Sequence, residues 1–220
     1  AAMPNLTGLM PAEYGAAMKN ILQHQQSGAS LLTVYLGFSK PLRELGYQSY
    51  STFIYDNTVN TPRDILNNNR ADFTRRNFTF VDYSQVDSAL APEGKGVGVI
   101  CCIDYLEDWE NLDRKAYLDS KKQVASTFIQ RLEQIFPGIS GIIEYQDVAT
   151  PATLKRYTLN PGGSVYGFAQ LPSRKAIDTS LLPDNLHFAS AWGKTGGGFS
   201  GVIYGGYLCA MSILRKRRAQ

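Results

Sequence analysis

The residues with most chemical content lie near the end of the chain, in Asn185-Leu-His-Phe-Ala-Ser-Ala-Trp-Gly-Lys-Thr-Gly-Gly-Gly-Phe-Ser-Gly201. Gly196, Gly197, Gly198 and Gly201 carry no side chains, so a ligand can reach the main chain there. A helix starting at that point would aim unpaired N–H groups and the positive end of its dipole at a negative or electron-rich group. So many glycines also cost backbone entropy that a plain turn does not require. The bland alternative is a glycine-rich turn with no ligand, and the ligand reading is preferred over it.

Two phosphate motifs fail on this segment. Gly193-Lys194-Thr195 would need a glycine five residues earlier to make a phosphate-binding loop, and Phe188 stands there. Gly196-x-Gly198-x-x-Gly201 matches the dinucleotide fingerprint in spacing. That fingerprint requires a further strand with an acid about 20 residues beyond it. Only 19 residues follow Gly201, and they read as a helix ending in Arg215-Lys216-Arg217-Arg218.

Other chemistries find little support. Cys101, Cys102 and Cys209 form no C-x-x-C, and with His24 and His187 as the two histidines no metal-ligand spacing arises. The thiols read as buried and in a reducing compartment. Asp104, Glu107, Asp108 and Glu110 read as a solvated loop, Lys155 and Arg156 as surface charge. The terminal basic run has two readings: contact with an anionic membrane, and complement to a helix C-terminus, the more ordinary one. A net charge of +3 and the absence of a recognised module argue against nucleic acid. The longest apolar stretch, Val202 to Leu214, is short of a membrane span. With no basic-then-apolar leader, a cytoplasmic location is expected, with peripheral membrane contact as an addition. The chain begins at Ala1 rather than Met and reads as processed or excised.

The elements that must position these residues follow from patterning. A helix is expected over 11–26, then a buried strand over Leu31–Phe38 and another over Tyr47–Tyr55. Thr61-Pro62-Arg63-Asp64 supplies an N-cap, a first-position proline and a first-turn acid for a short helix. Strands are expected at Asn77–Tyr83 and Val97–Asp104, joined by the turn-rich Asp87–Gly96 connection that suits antiparallel neighbours. Asp113 caps a long helix over about 114–136, with Val124, Phe128, Leu132 and Ile135 as its apolar stripe and Lys121, Lys122, Arg131 and Glu133 in water. A strand over Ile139–Val148, a helix from Thr150-Pro151, a strand over Leu186–Trp192 and a last helix over Val202–Leu214 complete the set. The fold class is α+β: a mixed, largely antiparallel sheet covered by helices, then a C-terminal strand, glycine loop and helix.

Several blocks together resemble the FAD-dependent phytoene desaturase, carotenoid isomerase and retinol saturase family. They are Asn185–Trp192 with Gly196–Val202 and Gly205-Gly206; Ala91-Pro92-Glu93-Gly94-Lys95 with the strand Val97–Ile103; and Phe136-Pro137-Gly138-Ile139. Thr150-Pro151-Ala152-Thr153, Gly162–Gly167 and Leu31–Gly37 complete the ordered set, which covers about residues 25–215. The resemblance implies a substrate-binding domain at 25–155, a connecting helix region at 1–24, and residues 156–220 as the C-terminal part of an FAD-binding domain. The rest of that domain, a partner half holding the ADP moiety, would be absent from this chain. It also implies cofactor contacts from Trp192, Gly196, Gly197, Gly198, Phe199, Ser200 and Gly201, with the pyrimidine side of the isoalloxazine facing the amides. Tyr157 and Tyr166 would line the substrate cavity, ordinary aromatic packing being an equal reading. Related flavoenzymes often have an acid just after the last strand, holding the ribitol. Here Ser190-Ala191-Trp192 stand instead, leaving that contact to backbone or Ser190.

Hydride removal from an unactivated carbon needs an acceptor that no side chain provides, which explains why no acid–base pair stands out; the catalytic residues stay unassigned. The expectation is therefore a fragment, inactive alone, of an oxidoreductase that desaturates or saturates a polyene or isoprenoid-like substrate. Flavin-dependent cis/trans isomerisation is the alternative at the same site. A non-catalytic module binding a hydrophobic ligand is the third reading.

Overall fold

In a computed structural model, which describes residues 2–86, 89–172, 174–175 and 177–219 with side chains through Lys216, the chain forms two compact units. One is Leu31–Pro151. The other joins Ala1–Ser30 to Ala152–Gln220. Asp87 and Ser88 of the expected turn lie outside the described residues, as do the side chains of Arg217 and Arg218.

The first unit is a five-stranded sheet with a covering helix. Its strands are β1 (Ser30–Phe38), β2 (Ser51–Ile54), β3 (Phe78–Asp82), β4 (Gly96–Asp104) and β5 (Ile143–Ala149), in spatial order β2-β3-β4-β1-β5. β2 with β3, β3 with β4, and β1 with β5 pair antiparallel. A Cβ at Gly98 would lie 2.8 Å from the Phe38 ring, while Cys101 reaches back to the Thr33 hydroxyl, so β4 also runs against β1. β4 and β5 therefore point the same way on either side of β1, and helix α3 (Arg114–Ile135) crosses between them.

Strand alternation divides the sheet faces. On one face Leu32, Val34, Leu36, Phe38, Phe78, Phe80, Ile100 and Cys102 are buried, and α3 answers with Val124, Ala125, Phe128 and Leu132. Phe128 meets Phe78 at 5.0 Å between ring centres and Phe73 at 5.7 Å; Phe136 meets Phe80 at 5.5 Å. Such ring pairs add about 0.5–1.5 kcal/mol each beyond area burial. Ile135, expected in the stripe, is instead 40 % exposed, because it falls at the end of the helix.

Local chemistry sets the element ends. Asp113 Oδ1 accepts from the Ala116 N–H at 2.8 Å and starts α3. A capping box between Thr61 and Asp64 starts α2 (Pro62–Asn68). Glu133, expected in water, closes the turn into β5. Its carboxylate accepts from the Gly138 N–H at 2.7 Å and from both the N–H (2.8 Å) and the hydroxyl (2.7 Å) of Ser140.

Two charged residues depart from their expected solvation. Asp104, read as part of an exposed loop, is 1 % exposed. It takes hydrogen bonds from Arg76 Nη1 at 2.7 Å and Trp109 Nε1 at 2.6 Å. Arg131 donates Nη1 to the carbonyls of Phe73 (2.8 Å) and Arg76 (2.6 Å), with its guanidinium 4.6 Å from the Phe78 ring. Both reversals come from the segment between α2 and β3, which folds over the helix and removes water from these groups.

The second unit holds α1 (Ala12–Leu22), α4 (Pro151–Thr158, whose first residue falls in the other unit) and α5 (Gly198–Ala219). Its core is Ala2, Met3, Met18, Phe168, Leu182 and Trp192. The expected strand over Leu186–Trp192 does not form. A strand is a pairing, and among the described residues no backbone hydrogen bond is made by the amides of His187, Phe188 or Ala189.

The Ser140 hydroxyl, then the amides of Gly138 and Ser140, hold the Glu133 carboxyl below its ordinary pKa. A depressed carboxyl stabilises the fold above its unfolded pKa of about 4.3 and loses that contribution as pH falls. Glu133→Gln is therefore expected to lower the melting temperature at pH 7, with the gap to wild type closing as pH falls below about 4. Melting curves of both proteins across pH check this.

Candidate functional site

The glycine segment lies wholly in the second unit, built from two strips of chain that cross closely. Residues 26–29 run against 165–169, through Gly28 N–H to Gly167 O (2.7 Å), Val165 N–H to Ala29 O (3.2 Å) and Ala169 N–H to Gln26 O (2.8 Å). The buried Ser164 hydroxyl donates to the Gly167 carbonyl at 2.8 Å and the Ser30 hydroxyl to Gly163 at 2.8 Å. The 191–198 strip passes over this turn. Gly167 has φ +76°, and a Cβ on it would come 2.5 Å from the Ala191 carbonyl carbon.

One side of the glycine bend is occupied by the protein itself. A Cβ on Gly197 would stand 2.6 Å from Tyr166 Cβ, and one on Gly196 would stand 2.5 Å from the Gln170 amide carbon. Gly201 lies over the Gly196 carbonyl, and Gly205 lies under the Thr195 hydroxyl, which donates to Gly201 O at 2.8 Å. The other side is open. Gly198, with φ +76°, has nothing within 4 Å of a would-be Cβ, and Phe199 is 89 % exposed. Gly198 is also the first residue of α5, so the open side coincides with the unpaired amides and positive dipole end of a 22-residue helix.

The residues implied as cofactor contacts thus separate. Gly198, Phe199 and Ser200 face outward; Gly196, Gly197 and Gly201 pack inward. Trp192 is 4 % exposed and meets Phe168 edge-on at 4.8 Å, a core position. Tyr166 is brought to the bend, since its main chain carries Gly197. Tyr157, 76 % exposed on α4, has the Arg156 guanidinium 5.6 Å from its ring.

Two residues without a sequence signal clamp the bend. Gln170 Nε2 donates to Phe168 O at 2.6 Å. Arg174 donates Nη1 to Gln170 Oε1 at 2.9 Å and Nη2 to Gly193 O at 2.8 Å. Nothing in their types or spacing marked them out. Beside the bend a cleft of about 360 Å³ runs along the Leu186–Phe188 segment and the α5 residues Gly205, Leu208 and Ser212. Along α5, Phe199, Ile203, Tyr204 and Tyr207 are exposed at 57–89 %.

Comparison with known proteins finds relatives over part of the chain. The prolycopene isomerase of Arabidopsis thaliana is 34% identical over 137 residues, 58% of this chain and 22% of that protein. The carrot enzyme of the same name is 33% identical over 134 residues. The all-trans-retinol 13,14-reductase of Danio rerio is 27% identical over 216 residues, 90% of this chain and 35% of that protein. The chain is thus similar, over part of these proteins' length, to prolycopene isomerases and to a retinol reductase. It spans about a fifth to a third of the length of these relatives. No established family profile matches it. Among solved structures, an oxidoreductase from Methanosarcina mazei overlaps 94% of this chain and 38% of its own at TM-score 0.39 and 15% identity, too distant to carry an argument. These relatives are enzymes, isomerase and reductase by name. Among the described residues no helix is long and apolar enough to cross a membrane, and no cluster of ligating side chains could hold a metal ion.

The packing gives a direct contrast within one family-like segment. Gly197→Ala forces its methyl into Tyr166 and is expected to destabilise the protein by about 1–3 kcal/mol. Gly206→Ala meets nothing within 4 Å inside α5 and is expected to gain about 0.5–1 kcal/mol. Denaturant unfolding of the two variants checks both signs.

Proposed function

We propose that this chain is part of an FAD-dependent oxidoreductase acting on a polyene or isoprenoid-like substrate, and that it supplies the substrate-bearing sheet and the closing segment of the flavin site. The observation that carries the reading is the glycine bend: its open side, Gly198 to Ser200, coincides with the start of α5, within a chain related to polyene-modifying enzymes.

The residues fit a flavin at that edge. The amides of Gly198–Gly201 and the α5 dipole would stabilise negative charge on the pyrimidine side, and missing Cβ atoms leave room for the ring plane. When bound, the flavin accepts or returns a hydride, chemistry that side chains cannot perform. The protein's part is to orient, to exclude water and to hold charge at the ring. Gly196 and Gly197 contribute shape rather than contact, by letting the bend lie on Tyr166 and Gln170.

A sheet neighbour from elsewhere in a longer protein is implied by two features. The Leu186–Ala189 run has no strand partner among the described residues, and α5 leaves Phe199, Ile203 and Tyr207 uncovered at four-residue spacing. Both are what a nucleotide-binding sheet would cover.

The sheet unit offers the substrate surface. Away from α3, the pairings Phe53–Thr79–Cys101, Val81–Val99 and Gly37–Tyr145 place side chains on one face. Phe53 is 67 %, Tyr145 62 % and Tyr35 42 % exposed there. Flat aromatic and β-branched groups, with Asp147 beside Tyr35 at the β5 edge, suit an extended hydrocarbon, which needs area rather than hydrogen bonds.

Isomerisation is the second reading, favoured by the higher identity to the prolycopene isomerases, 34% against 27% for the retinol reductase. The full-length protein is expected to purify with bound FAD, whereas these 220 residues titrated with FAD should bind it weakly. With a polyene substrate, net consumption of an electron acceptor or donor marks the oxidoreductase, and double-bond rearrangement without net redox marks the isomerase. A full-length protein that neither carries nor takes up flavin contradicts the proposal.

A further inference from the structure

We infer that Arg174 supplies the positive charge at the glycine bend that eases electron transfer onto a ring held there; the inference rests on the flavin reading above. Arg174 is half-buried, and its two hydrogen bonds run to neutral oxygens, Gln170 Oε1 and Gly193 O. The ring of Phe168 lies 5.6 Å from its guanidinium. No carboxylate among the described residues pairs with it, whereas Arg70, Arg75 and Arg76 in the sheet unit each meet one. Burial pulls its pKa below the usual arginine value, yet a guanidinium stays protonated in proteins. A half-buried guanidinium bound to neutral oxygens keeps its charge available to a negative group nearby.

The position of that charge is set by the bend itself. The Gln170 amide that accepts from Arg174 is the group a Cβ on Gly196 would strike, and Gly193 begins the strip leading to Gly196. Arg174 is thus joined to the bend at two points, one side chain removed from the glycines. A two-electron-reduced flavin carries more negative charge than the oxidised ring, so a fixed cation favours the reduced form. Arg174 acts through the bend and touches no reacting atom, which makes it a positioning residue.

The experiment measures the two-electron midpoint potential and FAD affinity of the flavin-loaded full-length protein as wild type, Arg174→Met, Arg174→Gln and Arg174→Lys. Losing the charge is expected to weaken binding of reduced relative to oxidised flavin about tenfold, a downward shift of about 30 mV for a two-electron couple. Arg174→Gln, which keeps a donor for the Gly193 carbonyl, should shift as Arg174→Met does, and it serves alone if the methionine variant does not fold. Arg174→Lys should stay close to wild type. An unchanged potential in Arg174→Gln overturns the inference, as does a lysine variant shifted as far as the neutral ones, which would assign the effect to shape. Absence of flavin from the wild-type protein would instead defeat the flavin reading, and this inference with it.

Discussion

Gly197 stands so close to Tyr166 that a single added methyl would overlap that residue's Cβ, and Gly167 stands in the same relation to the carbonyl of Ala191. The second unit depends on this mutual approach of two main chains without side chains between them. It lets the 191–198 strip lie on the 163–170 turn and delivers the start of α5 with its outer side bare. The positive φ angles at Gly162, Gly163, Gly167, Gly196 and Gly198 are the backbone consequence, since L side chains resist that region. Ordinary residues there would push the strips apart and bury the helix start under side chains.

The sheet unit solves a different problem. Four antiparallel pairings and one covering helix give it a rigid apolar layer on one side, where Phe78, Phe80, Phe128 and Phe136 interlock. Its charged groups are tied down at the margin: Asp104 by Arg76 and Trp109, and Arg131 by two carbonyls. Buried ion pairs of this kind add little net stability, but removing one partner leaves an uncompensated charge. They fix the segment between α2 and β3 over the helix. The remaining face carries Phe53, Tyr35 and Tyr145 outward.

Elements with a local cause were legible in the sequence. The Thr61–Asp64 capping box, the Asp113 cap and the alternation along β3 and β4 each act within a few residues and fold as their types dictate. What failed depended on distant parts of the chain. The Leu186–Trp192 run has strand composition but no strand beside it among the described residues, and its last residues turn back on Ser190 instead. Asp104 and Arg131 read as solvated because burial by another segment leaves no mark in their neighbours. Glycine spacing located the bend but could not separate Gly198, which opens outward, from Gly196 and Gly197, which pack inward. Gln170 and Arg174 had no signal at all, since a polar pair after a turn is ordinary composition.

The account turns on the open side of the bend meeting a flavin ring, and main-chain hydrogen exchange in the full-length protein tests that most directly. Exchange of the amides at Phe199, Ser200 and Gly201 would be compared between flavin-loaded and flavin-stripped protein. Marked slowing at these three positions on loading, with the α3 amides unchanged as an internal reference, is the predicted result. Equal exchange in both forms, with flavin demonstrably bound, would contradict the account.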